Sequence, residues 1–192
     1  MTGHLFLVVG PSGAGKDTLL DAARAHFTGN PNVIFPRRYI TRPCDAGGED
    51  HIATSEDEFN TLKKQGLFAF HWGAHDLHYG IPLQINGALE SGINVVVNVS
   101  RGAIEFVREN YDNVSVISIV VDQAILAERL KARGRENEND ISRRLDRAKS
   151  FSVSGNDVIT IDNSGLMHPA VKQFISVVSK SAKRHTLKLA TF

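Results

Sequence analysis

Gly10-Pro11-Ser12-Gly13-Ala14-Gly15-Lys16 fits the spacing G-x-x-x-x-G-K, a pattern that cradles the phosphates of a nucleoside triphosphate. The glycines let backbone amides wrap phosphate oxygens without side-chain obstruction. A helix opening at the lysine adds free N–H groups and a dipole that favours anions. Lys16 brings a positive charge onto the β- and γ-phosphates. A Gly-rich turn without chemistry would leave the coincidence of strand, spacing and lysine unexplained. One position departs from the pattern. Ser or Thr should follow the lysine to hold magnesium, and here Asp17 does. Two readings stay open: Asp17 serves Mg2+ directly or through water as a hard oxygen ligand, or Thr18 or water does so while Asp17 caps the helix start.

The elements that must position this loop are legible in the same stretch. Leu5 to Val9 is an apolar run ended by Gly10-Pro11, and reads as a buried parallel strand. A helix follows from near Lys16 toward Phe27, stopped by Thr28-Gly29-Asn30-Pro31-Asn32. Val33 to Ile40 reads as one strand that ends near Arg37, Arg38, Thr41 and Arg42. Ser55 with Glu58 forms a capping box for a short helix ended at Gly66. Leu67 to His71 and Leu77 to Tyr79 read as a small antiparallel piece. Further strands are expected at Ile93–Val99, Val114–Val121 and Val158–Ile161. Helices are expected at Pro82–Glu90, Gly102–Asn110, Ala124–Arg133, Asn139–Phe151 and His168–Ala182. The alternation predicts a parallel sheet with helices on both faces. Two stretches break it, 42–80 and the arginine-rich 126–150, and both read as excursions from one domain.

Composition narrows the function classes. A chain of 192 residues suits one core, and a net charge of +1 gives no overall drive toward nucleic acid or an acidic membrane. No apolar run approaches the ~20 residues of a membrane span, and the N-terminus lacks a signal-peptide pattern. The single cysteine, Cys44, allows neither an internal disulfide nor a zinc site of its own. A reducing, cytoplasmic setting is expected. His71, Trp72, His75 and His78 cluster in sequence but follow no zinc spacing, and read as surface or pocket lining.

The ordered set GPSGAGKDTLL, TRP, YG, RLKARGRE and SRRL resembles the guanylate-kinase family over nearly the whole chain. The resemblance implies an α/β P-loop NTPase fold across 1–192. Its parts would be a core (1–35, 84–125, 151–192), a small acceptor-binding excursion (36–83) and an Arg-rich lid (126–150). The positions with which that family reads guanine are altered. Phe70 stands for a glutamate, Pro82 for a serine, and Asn98-Val99-Ser100 for D-x-D. Asp45 replaces a phosphate-binding arginine, and His51 a tyrosine. A purine site so altered would leave guanine N–H donors unpaired. The departures are instead similar to the ribose 1,5-bisphosphate phosphokinases. The matching segments are Arg38-Tyr39-Ile40-Thr41-Arg42, Glu49-Asp50-His51-Ile52-Ala53, Val97-Asn98-Val99-Ser100-Arg101 and Arg133 to Asn137, with the aspartate after the lysine.

That resemblance implies transfer from ATP, with Mg2+, to the 1-phosphate of a sugar bisphosphate. Lys16, Arg133, Arg135 and Arg144 would carry the catalytic charge. Arg38, Arg42 and Arg101 would take the acceptor phosphates, Tyr39 and His51 would line the pocket, and Asn98 and Ser100 would meet ribose hydroxyls. The alternative for each lid arginine is a solvated helix face paired with Glu128, Glu136 or Asp146. For Asn98 and Ser100 it is strand-end capping. Asp162-Asn163 aligns with a segment near the adenine base. A guanylate kinase and a non-catalytic module of the same fold are the competing functions, although the latter tends to have a damaged phosphate loop. No nucleic-acid or membrane partner is expected, and a homodimer is compatible with the sequence.

Overall fold

Strand β1 (Leu5–Val9) is buried at every position, and its side chains feed two separate cores because alternate residues of a strand point to opposite faces. In the computed structural model Phe6 and Val8 pack with Leu19, Ala23, Phe174 and Val178 on one face. Leu5, Leu7 and Val9 pack with Ile85, Leu89, Ile104 and Val107 on the other. A side chain buried as fully as Phe174 contributes about 1.5–3 kcal/mol of transfer free energy. The structure describes residues 2–44, 49–133, 138–149 and 151–189, with the side chains of 133, 139, 140, 147 and 180–189 outside that description.

The core sheet runs in the order β2 (Val33–Ile34), β7 (Asn94–Asn98), β1, β8 (Val114–Val120), β9 (Val158–Asp162), all parallel. Helices α1 (Lys16–His26) and α7 (Met167–Leu189) cover the first face. Helices α3 (Gln84–Glu90) and α4 (Ile104–Asn110) cover the second, with a 3-10 turn at Arg101–Ala103. The chain is thus an α/β protein whose parallel sheet is flanked by helices. Among the described residues no helix is long and apolar enough to cross a membrane.

The stretch Val33 to Ile40, expected as one strand, is two. β2 ends at Ile34 and pairs with β7, whereas β3 (Tyr39–Ile40) joins a second sheet. Pro36 lies between them, and a residue without an N–H cannot continue a ladder. The second sheet runs β4 (Ile52–Ala53), β3, β6 (Leu77–Pro82), β5 (Phe68–Ala74). The hairpin β5–β6 is longer than its apolar pattern suggests. Ala74 pairs with Leu77 across His75 and Asp76, whose φ values of 55° and 58° form a two-residue turn that matches the strand twist. Ser55 caps α2 (Glu56–Lys64) by accepting from the Glu58 N–H at 3.1 Å, which is one of the two contacts of a capping box. After β8, α5 (Gln123–Arg133) and α6 (Glu138–Lys149) pack on each other through Leu126, Leu130 and Ile141.

Candidate active site

The phosphate loop leaves the C-terminal end of β1 and enters α1 at Gly15, whose φ of 85° is left-handed. Only glycine takes that conformation without strain, and a Cβ there would lie 2.5 Å from Asn163 Nδ2. Gly13, with φ of 89°, is equally confined, since a Cβ would meet Leu126 Cδ1 at 2.9 Å. Lys16 Nζ donates to the carbonyls of Gly10 and Pro11 at 2.9 and 3.1 Å, so the ammonium lies over the loop it serves. Asn163, buried after β9, donates to the Ala14 carbonyl at 2.8 Å and ties the loop to the far side of the sheet. Asn163 Oδ1 and Arg129 Nη1 are buried without a hydrogen-bond partner among the described residues, and Arg129 donates through Nη2 to the Asn163 carbonyl at 2.8 Å. Arg129 received no role from its sequence position. Its spacing on α5 resembles any solvated helix face.

A second cluster sits beside the loop, where β7 ends and the second sheet meets the core. Such strand ends are where ligands gather in open α/β sheets. Asn98 Nδ2 reaches Asp17 Oδ1 at 3.5 Å and Glu49 Oε2 at 3.4 Å. Glu49 in turn pairs with Arg38, which is 8% exposed. The Arg38 guanidinium lies 5.0 Å from the Tyr79 ring centroid and 5.9 Å from that of Trp72. Those two rings stack at 5.3 Å and 5°. Burial holds the Tyr79 phenol above its ordinary range, with Glu49 adding to the rise and Arg38 and Arg42 opposing it, so it stays neutral near pH 7. The Nε groups of Arg38 and Arg42 are buried and have no hydrogen-bond partner among the described residues. An unmet guanidinium N–H in a low-dielectric site favours an anion.

His51 is also buried, and its ring lies between the backbones of Arg42 and Glu49. Nε2 lies 3.1 Å from the Arg42 carbonyl, and Nδ1 lies 3.0 Å from that of Glu49. Ser100 accepts from Trp72 Nε1 at 2.8 Å. Lys16, Asp17, Arg38, Arg42, His51, Asn98 and Ser100 are therefore brought to one end of the sheet. Tyr39 is not. Its ring packs on Phe68 at 5.4 Å, away from the Tyr79 and Trp72 rings that the Arg38 guanidinium covers, because neighbouring residues of extended chain point to opposite sides. Arg101 leans its guanidinium over Phe151, 5.5 Å from the ring centroid. Arg144 on α6 donates to Ser12 Oγ at 2.6 Å, which joins this helix to the phosphate loop. Arg135 and Asp45 lie outside the described residues, as does the side chain of Arg133.

Glu49 and Tyr79 are members of this cluster that residue type alone did not assign, and Trp72, expected at the surface or lining a pocket, joins them. Glu49 and Tyr79 fall within matched segments, which was the available signal. His71 faces the other side of the hairpin; burial, then Lys63 and His78, hold its imidazole below the ordinary value. Among the described residues no group of three His, Cys, Asp or Glu side chains is arranged to hold a metal.

A family model described as guanylate kinase matches residues 2–180. The ribose 1,5-bisphosphate phosphokinase PhnN of Agrobacterium fabrum is 48% identical over 179 residues, which is 93% of this chain and 97% of that one. The protein of the same name from Thiobacillus denitrificans is 45% identical over 177 residues, 92% of this chain and 93% of that one. Among solved structures, guanylate kinase from Anaplasma phagocytophilum superposes with a TM-score of 0.64 at 17% identity, covering 93% of this chain and 86% of that one. That last likeness speaks to the fold only. With its phosphate loop intact and its guanine-reading positions replaced, the chain belongs to the guanylate-kinase family and, within it, to the ribose 1,5-bisphosphate phosphokinases.

Proposed function

We propose that this chain transfers the γ-phosphoryl group of ATP to the 1-phosphate of ribose 1,5-bisphosphate, forming 5-phosphoribosyl 1-diphosphate and ADP. It would act in phosphonate breakdown and in the supply of that product. The observation that carries the reading is the pair of buried Nε donors on Arg38 and Arg42 without a partner among the described residues, of which Arg38 is linked through Glu49 and Asn98 to Asp17 beside the phosphate loop. A phosphate acceptor satisfies such donors, and bidentate guanidinium geometry suits it. Phe70, where the family's purine reader stands, is 3% exposed and lies within the apolar core. It offers no acceptor to guanine.

One phosphate oxygen of the acceptor attacks the γ-phosphorus in line, the bond to the β-phosphate oxygen breaks, and ADP leaves. The attacking oxygen already carries charge near neutral pH, so no general base is needed. Catalysis consists of alignment and neutralisation of charge spread over the transferring group. Lys16 supplies charge to the donor, and Arg144, already in contact with the loop, supplies it from α6. Arg133 and Arg135 are proposed for the same lid, 126–150, closing over a core that carries an acceptor-binding excursion at 36–83. Asp17 fits magnesium as an exposed carboxylate in the first turn of α1 with an uncharged amide for its neighbour. Bound there, the metal would neutralise charge on the donor phosphates. Arg101, His51, Asn98 and Ser100 are proposed to complete the acceptor pocket. A reducing cytoplasm is the proposed setting, which suits a free, exposed Cys44.

The test is an ADP-release assay with ATP and Mg2+, offering ribose 1,5-bisphosphate and then GMP. Turnover of the first and not the second is expected. Turnover of GMP alone would assign a guanylate kinase instead, and turnover of neither would favour a non-catalytic module.

A further inference from the structure

Ser100 and Trp72 come from different sheets. Ser100 follows shortly after β7, and Trp72 lies in the middle of β5. Their contact is a polar link between the core and the excursion. An indole N–H can only donate, so at 2.8 Å the Ser100 oxygen must accept. A serine hydroxyl has one proton and two lone pairs. With one lone pair held by Trp72, its proton is left for another acceptor. Trp72 is itself held in place by its stack on Tyr79 at 5.3 Å, and Arg38 lies across both rings. The guanidinium that lies across these rings carries a buried N–H without a partner among the described residues.

We propose that Trp72 is a positioning residue of the acceptor pocket, fixing Ser100 as a hydrogen-bond donor to a phosphate oxygen of the acceptor. The ligand class is a phosphate monoester dianion. This differs from a role for Ser100 toward ribose hydroxyls, since a hydroxyl can serve as donor or acceptor and would not need the serine's direction set. The identity of the acceptor used below rests on the function proposed above. The role of Trp72 does not.

Three variants and one probe test it. Ser100→Ala should raise KM for ribose 1,5-bisphosphate by roughly 10–100-fold, the worth of a hydrogen bond to a charged group. Trp72→Phe keeps an aromatic ring and removes the N–H, and should raise it by about 3–10-fold, the worth of an ordinary hydrogen bond. The double variant should be no worse than Ser100→Ala alone within about twofold, because both changes remove the same interaction. KM for ATP should stay within about twofold throughout. Trp72 is the single tryptophan of the chain, so its emission reports on this pocket alone. Titration of nucleotide-free protein with inorganic phosphate should change that emission saturably, and Ser100→Ala should weaken the apparent affinity by a comparable factor.

Losses that multiply in the double variant would make Trp72 merely structural and overturn the proposal. So would equal losses toward ATP and acceptor, or a wild-type emission unmoved by tens of millimolar phosphate. If Trp72→Phe does not fold, the Ser100→Ala titration decides alone: unchanged phosphate affinity overturns the proposal, and weakened affinity upholds it. If wild type does not turn over ribose 1,5-bisphosphate, the functional reading fails, and the phosphate titration still decides whether the Ser100 that Trp72 holds meets a phosphate.

Discussion

Asp17 and Arg42 carry opposite charges at the same end of the sheet, and each has a proposed role that a single substitution can test. Asp17 is exposed beside Lys16 and touches Asn98, so removing its carboxylate disturbs no buried contact. Asp17→Ala should therefore leave the fold intact while raising the magnesium concentration for half-maximal turnover about tenfold, the worth of one charge-assisted contact. An unchanged magnesium dependence would return the metal to Thr18 or water. Arg42 has a buried Nε without a partner among the described residues, and its Nη2 lies 3.4 Å from His51 Nδ1. A lysine there keeps the charge and loses the planar fork. Arg42→Lys should raise KM for the acceptor roughly tenfold with KM for ATP nearly unchanged. Steady-state kinetics with each substrate varied in turn would show equal losses if Arg42 serves both sites.

At the scale of elements, the strand-loop-helix unit of β1 and α1 depends on one backbone conformation. Gly15 is left-handed and nearly touches Asn163 on the loop after β9. Gly15→Ala places a methyl group into the amide that holds Ala14. The strain and clash should cost about 1–3 kcal/mol, which lowers Tm by roughly 2–10 °C in a chain of this length. Calorimetry checks the stability, and nucleotide titration should show weakened ATP binding. The same unit was the most readable part of the chain, since its apolar run, glycines and lysine are all local. The split of Val33 to Ile40 was less readable. Each half has strand character, and only the two competing sheets decide that Ile34 goes to β7 and Tyr39 to β6.

Across the whole molecule, three separate stretches, the phosphate loop with Asp17, Arg38 to His51, and Asn98 to Ser100, converge on the C-terminal ends of β1 and β7. Helix α6 meets the phosphate loop, where Arg144 donates to Ser12 Oγ at 2.6 Å. If α6 closes a lid over the donor, Arg144→Ala should lower kcat by about 10²–10³-fold, as loss of a preorganised charge does. Its Tm should move little, because Arg144 lies outside the apolar contacts of α6 with α5. Single-turnover rates alongside a thermal melt would separate this outcome from simple unfolding. A kcat within a few-fold of wild type would leave the contact with Ser12 without a catalytic role.

The phosphate cradle and the alternating α/β rhythm were determined by sequence alone, since each rests on residue type at short spacing, whereas the replaced purine readers at Phe70 and Pro82 were visible only through the family resemblance. What tertiary structure decided was which distant side chains share a space. Arg38 and Tyr39 are adjacent in the chain, yet one lies over Tyr79 in the pocket and the other packs on Phe68. Trp72 and Ser100 are 28 positions apart, and only the packing of one sheet on another makes them partners. Local pattern carries the period of an element. The register between elements comes from burial and close packing, which no short window of residues contains.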